Sequence, residues 1–258
     1  MSKMRSLALA LVVCGCLPAA GASATNIVQV HARFTPNGLG VATNVSGDVT
    51  IASPTGGLPS PITRVTIIGP AGIGLNLTGV GTCDPLALET VGPRACPLNS
   101  TAGSGGGVGA VTLGQQVIEA PFTLNVFRGP DENGHVVVLL YANATTPVSV
   151  QLLFKAQVVS EPPPYGLGFS FPIPLIPTLP GASNVSVLKA HLTLGAANAA
   201  FFEKVHGKRK LVHVKGIITP KRCPAGGFPV NLETNFEDGS TIANKTTIPC
   251  PPAKRRHH

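Results

Sequence analysis

Short apolar runs alternate with turn residues along most of this chain, and the rhythm predicts strands. Ile27 to Phe34 sets Val28, Val30, Ala32 and Phe34 two residues apart. Ile62 to Ile68 carries Val65, Ile67 and Ile68 and stops at Gly69-Pro70. Val108 to Leu113 follows a glycine cluster, and Phe122, Leu124 and Val126 alternate with Thr123, Asn125 and Phe127. Val136 to Tyr141 is a continuous apolar run suited to a central strand. From Val148 to Val159, Val148, Val150, Leu152 and Phe154 share one parity. Further runs hold Val185, Val187, Leu188, Leu192 and Leu194, then Leu211, Val212, Val214, Ile217 and Ile218, then Val230, Leu232 and Phe236. Short β-branched segments separated by Gly, Pro, Asn and Asp predict an all-β protein. The expected architecture is a two-sheet antiparallel sandwich, jelly-roll-like. Asn133-Gly134 and Asp238-Gly239 accept positive φ and predict hairpin turns.

One segment breaks the period. Asp84 can cap a helix, Pro85 suits its first turn, Leu86 to Val91 form a body, and Gly92-Pro93 stop it.

The N-terminus reads as a secretory leader covering residues 1–24. Lys3 and Arg5 give a positive start, Ser6 to Val13 an apolar run, and Ala22-Ser23-Ala24 a cleavage pattern. The apolar run is far short of the roughly 20 residues a membrane helix needs. Cys16 as an acylated cysteine is the minor alternative. Gly166 to Pro180 is apolar, but Pro172, Pro174, Pro177 and Pro180 exclude a spanning helix. The expected organisation is a leader, a β domain over residues 25–251 and a basic tail over residues 252–258.

Export changes the meaning of the cysteines. Cys14 and Cys16 leave with the leader, so Cys83, Cys96, Cys223 and Cys250 remain. An even set in an exported chain reads as disulfides, with three pairings open. The local pairing, Cys83 with Cys96 and Cys223 with Cys250, closes the shortest loops and is preferred. Zinc is the weaker reading, because no C-x-x-C knuckle is present.

Cys83-Asp84-Pro85-Leu86 through Ala95-Cys96-Pro97, followed by Ser100, Gly103 and Gly105, forms one motif. Ile176-Pro177-Thr178-Leu179-Pro180-Gly181 forms a second. Thr219-Pro220-Lys221-Arg222-Cys223-Pro224 and Pro249-Cys250-Pro251 complete the set. In combination they resemble a group of secreted four-cysteine proteins of high-GC Gram-positive soil bacteria that has no assigned activity. The resemblance implies export and the four-cysteine frame, and carries over no functional residue.

Catalytic patterns are missing from the sequence. His31, His135, His191, His206 and His213 fall on different predicted strands and form no H-E-x-x-H pattern. No serine sits in G-x-S-x-G; Ser100 and Ser104 are read as turn serines in a glycine-rich loop. Asp131-Glu132 and Glu237-Asp238 are read as solvated hairpin tips rather than a glycosidase pair, and Asp131 with Asn133 lacks the acidic count of a calcium loop. Gly103, Gly105, Gly106, Gly107 and Gly109 lack the lysine and helix of a phosphate loop and read as a flexible connector. The Asn-x-Ser/Thr sequons, Asn44 and Asn143 among them, would mark glycosylation in a secreted eukaryotic protein, whereas the bacterial resemblance implies turn and strand composition. No cofactor, metal or catalytic residue is assigned.

Charge points elsewhere. The chain carries a formal net charge of +8. Lys204, Lys208, Arg209 and Lys210 cluster with His206 around Gly207 as a basic hairpin tip, and Lys221-Arg222 and Lys254-Arg255-Arg256 add to it. Such a tip suits an anionic cell-wall polymer, phospholipid heads or another envelope protein. Nucleic acid is disfavoured, since aromatic residues are not interleaved with the charge. The run Phe169, Phe171, Ile173, Leu175, Ile176 and Leu179 is read as a cover over a sheet edge. The functional expectation is a non-catalytic extracellular structural or binding protein, cell-envelope associated or released. Two rivals stay open: a secreted hydrolase whose residues converge only in space, and a carbohydrate-binding module, which the absence of Trp disfavours.

Overall fold

The computed structural model describes residues 26–147, 149–176, 183–196 and 200–252. The leader, Cys16 and nearly all of the basic tail therefore lie outside the described residues. In chain order the strands are β1 (Ile27–Thr35), β2 (Ala42–Ala52), β3 (Ile62–Pro70), β4 (Gly74–Asn76), β5 (Thr101–Leu113), β6 (Gln116–Arg128), β7 (Val137–Ala144) and β8 (Val150–Gln157). After these come β9 (Val159–Ser160), β10 (Tyr165–Pro172), β11 (Ser186–Leu194), β12 (Ala200–Val205), β13 (Lys208–His213), β14 (Gly216–Ile218), β15 (Phe228–Phe236) and β16 (Thr241–Ile248). Helix α1 (Pro85–Val91) stands between β4 and β5. No helix among the described residues is long and apolar enough to cross a membrane.

Two antiparallel sheets pack face to face, as the strand rhythm predicts. The larger runs β4-β14-β2-β11-β5-β6-β7-β8, with β1 also paired to β2. The smaller runs β16-β15-β3-β10-β9. Strand alternation separates the faces. On the smaller sheet Val65, Ile67, Phe171 and Leu232 join the core, while Thr66 and Arg64 meet Ser170 on the other side. On the larger sheet Phe122, Leu124, Leu140, Ala142, Leu152 and Phe154 turn toward the smaller one.

Helix α1 forms where its signals lie. Asp84 Oδ1 accepts the Leu86 N–H at 3.0 Å, and Gly92 ends the helix at φ 87°. Its one buried side chain, Leu88, packs with Cys83, Cys96, Phe127, Val137, Leu139 and Tyr141 on the outward face of the larger sheet. The Cys83–Cys96 disulfide brackets this cover, and Cys223–Cys250 ties the β14–β15 connection to the end of β16. Two disulfides indicate an oxidising environment outside the reducing cytosol.

Three expectations need correction. The glycine cluster is no connector: Gly103 to Gly109 lie inside β5, the longest pairing partner of β6. The strand begins at Thr101 because glycine still supplies a full backbone ladder. The run from Phe169 covers no edge: β10 pairs with β3 and Phe171 is buried in the inter-sheet core; Leu179 lies outside the described residues. The apolar run from Leu211 to Ile218 is two strands, since β13 leaves off at His213 and β14 begins at Gly216 with φ 60°.

The sheets enclose an apolar chamber of about 270 Å³. Val30, Val49, Ile67, Leu124, Leu140 and Leu152 line it. A second cavity of about 150 Å³ adjoins it, sharing Val45, Ile67, Leu194 and Val230 in its walls.

Candidate functional site

Strands β11 and β14 occupy successive stretches of β2. Lys189 to Leu194 pair with Thr50 to Val45, and Ile217 and Ile218 pair with Thr43 and Ala42. The segment between them is an excursion, and its described part is the two-stranded hairpin β12–β13, outside both sheets. Its turn is His206-Gly207, with φ of 50° and 79°. Two consecutive positive φ values define the tight turn that matches strand twist, and Gly207 takes its share without strain.

The register distributes the cations. Lys204 stands opposite Arg209, Phe202 opposite Leu211, and Phe201 opposite Val212. Alternation puts Phe202, Lys204, Arg209 and Leu211 on one face. The Arg209 guanidinium lies 4.5 Å over the Phe202 ring, which agrees with that assignment. Phe201 and Val212 turn the other way and lean on Gly79, where an added Cβ would meet them at 3.1 and 3.0 Å. Thus one face anchors the hairpin, and the other presents an aromatic ring flanked by cations. Phe202 is 60% exposed and Leu211 45%. Lys204, Lys208, Arg209 and Lys210 are all exposed, and Lys210 stands opposite Glu203 in the hairpin register.

The sequence pointed to the charge but not to its neighbours. Ala200-Phe201-Phe202 before the turn and Leu211-Val212-His213 after it mirror each other. That symmetry about His206-Gly207 is the signal that could have found β12 and its exposed ring.

The remaining candidates end in structural roles or on open surface. Ser100 is fully buried, its Oγ donating to the Pro97 carbonyl at 2.6 Å. Ser104 lies in β5 between Asn125 and Thr193, not in a loop. Asp131 accepts from Arg128 at 3.0 and 3.1 Å, and Glu237 accepts from Asn184 at 2.7 Å. Lys155 donates to Glu132 at 2.5 Å and holds that carboxyl below the ordinary glutamate range. All five of these histidines are exposed. Cross-strand register does bring two of them beside one carboxylate, since Asp48 faces His31 on β1 and His191 on β11. Arg33 takes the Asp48 carboxylate at 2.8 Å, and the row lies on an outward sheet face with Asp48 half-exposed. No wall there would exclude water from a reacting group. Among the described residues no three His, Cys, Asp or Glu side chains are grouped to hold a metal ion.

Comparison with known proteins finds no family model, no curated protein and no solved structure that matches this chain.

Proposed function

We propose that the protein is a non-catalytic extracellular binding protein whose β12–β13 hairpin engages an anionic polymer of the cell envelope. The observation that carries this reading is the exposed set Lys204, Lys208, Arg209 and Lys210 on a hairpin outside both sheets. Exposed cations grouped this closely add their fields toward an anionic partner. Arginine stacked on Phe202 is presented as a flat, oriented donor fork, which suits phosphate or carboxylate groups along a chain. The signal-like leader and the two disulfides support an extracellular setting.

The test is binding to a poly(glycerol phosphate) chain, with a neutral glucan as control. Each cation near an anionic surface contributes about 1 kcal/mol. Replacing Lys204, Lys208, Arg209 and Lys210 together by Ser should therefore weaken binding by roughly two to three orders of magnitude. Because these side chains are exposed, the fold should tolerate the change. Raising salt to 1 M shortens the screening length from about 8 to about 3 Å and should release the polymer. Equal binding to the neutral glucan, or full binding by the Ser variant, would sink this reading.

A further inference from the structure

We infer that the space between the two sheets is a binding site for a single long aliphatic chain, such as that of a fatty acid. Two observations converge on it.

The first is the chemistry of the walls. Val30, Val49, Ile67, Leu124, Leu140 and Leu152 converge on the main chamber from both sheets. A water molecule needs several polar partners to settle in a cavity, and these walls offer almost none. The chamber, at about 270 Å³, also exceeds the roughly 150 Å³ at which an apolar engineered cavity already holds benzene.

The second is shape. The main chamber reaches Ala144, Thr146 and Pro147 after β7, where Thr146 is exposed. The adjoining cavity is bordered by Val137 and Val138 at the other end of the same strand. Strand β7 therefore spans the combined length, roughly 20 Å at about 3.3 Å per residue. A long narrow space suits a flexible chain better than a rigid fused ring.

In this arrangement the hydrocarbon lies between the sheets and the polar head emerges beside Asn143 and Thr146. The hairpin cations take no part, so this inference is independent of the envelope-binding reading.

The experiment uses the disulfide-intact chain and palmitate. At a hundredfold excess over Kd, palmitate should raise Tm by roughly 5–10 °C, with one equivalent bound. Nuclear Overhauser contacts should link labelled palmitate methylenes to the methyl groups of Ile67 and Leu140. Ala142→Phe and Ala32→Leu, both on the chamber wall, should weaken binding at least tenfold while circular dichroism shows the sheets intact. Hexanoate, too short to fill the space, should bind far more weakly than palmitate. The Ser variant of the four hairpin cations should bind palmitate unchanged. Absence of any Tm shift and of wall contacts in the unmodified chain would overturn the inference. So would loss of palmitate binding in the Ser variant, which would place the fatty acid on the surface charge.

Discussion

Strand β7 is packed in opposite ways on its two sides. Outward, Val137, Leu139 and Tyr141 are covered by α1 and the Cys83–Cys96 unit, and Val137 and Leu139 have no exposed surface at all. Inward, Leu140 and Ala142 border a chamber that no side chain fills. One side is closed by a covalently bracketed cover; the other faces the space between the sheets. At roughly 24 cal/mol per Å³, an empty chamber of about 270 Å³ forgoes on the order of 6 kcal/mol of packing. That is a large share of the roughly 5–15 kcal/mol that keeps a domain folded. The closed side must therefore supply much of the stability the hollow side gives up.

The sharpest way to break that contrast is to truncate one leucine on each side. Leu139→Ala removes a fully buried side chain from a closed cluster and should cost about 3–5 kcal/mol. Leu152→Ala removes a partly buried one that already borders empty space, and should cost only about 1–2 kcal/mol. Urea titrations of both variants give the comparison. Equal losses would mean that the inner face is as tightly packed as the outer.

The disulfides come next. Chain entropy alone makes the longer loop worth more: about 3.6 kcal/mol for the 27-residue separation of Cys223 and Cys250 against about 3.0 for the 13 of Cys83 and Cys96. Burial reverses the order. Cys83 is fully buried within the α1 cover, whereas Cys250 is exposed. Replacing Cys83 and Cys96 together by Ser buries hydroxyls among Leu88, Leu139 and Tyr141, adding about 1–3 kcal/mol to the loss. The Cys83/Cys96 double variant should therefore melt below the Cys223/Cys250 one. The reverse order in a thermal scan would reduce the cover to a chain constraint.

This contrast explains what the sequence reveals and what it hides. The closed side was legible: α1 carries a capping Asp, a Pro in its first turn and a terminal Gly, and Val136 to Tyr141 is continuously apolar because β7 is covered on both faces. The hollow side was not. Gly103 to Gly109 lack side chains and read as a loop, although strand pairing needs only their backbones. Strands β2 and β16 escaped for a related reason. Ala42–Ala52 places Gly47 where a third valine would complete its alternation, and Thr241–Ile248 is mostly Thr, Asn and Lys. The basic hairpin was legible as charge but not as geometry. No local pattern states that β11 and β14 will share β2 and expel what lies between.

The smallest effect expected lies at the rim of the closed face, where Lys155 of β8 donates to Glu132 in the β6–β7 connection. The hydrogen bond from Lys155 is the largest cause of the depressed Glu132 pKa, with the ammonium charge adding to it. A carboxyl depressed in the folded state stabilises above its unfolded pKa, and that contribution fades as pH falls through the folded value. The contribution should thus be intact at neutral pH and disappear only below the ordinary glutamate range. Both partners are substantially exposed, so screening keeps it small. Glu132→Gln should lower Tm slightly at pH 7 and leave it equal to the parent at pH 2, with the two curves merging as the parent's Glu132 protonates. Because the pair only ties the hairpin tip to β8 and touches neither the α1 cluster nor the chamber, the same substitution should leave the Leu139→Ala and Leu152→Ala losses unchanged. A variant that altered either loss would show the rim and the closed face to be one cooperative unit, and the division between the two sides of β7 would have to be drawn wider.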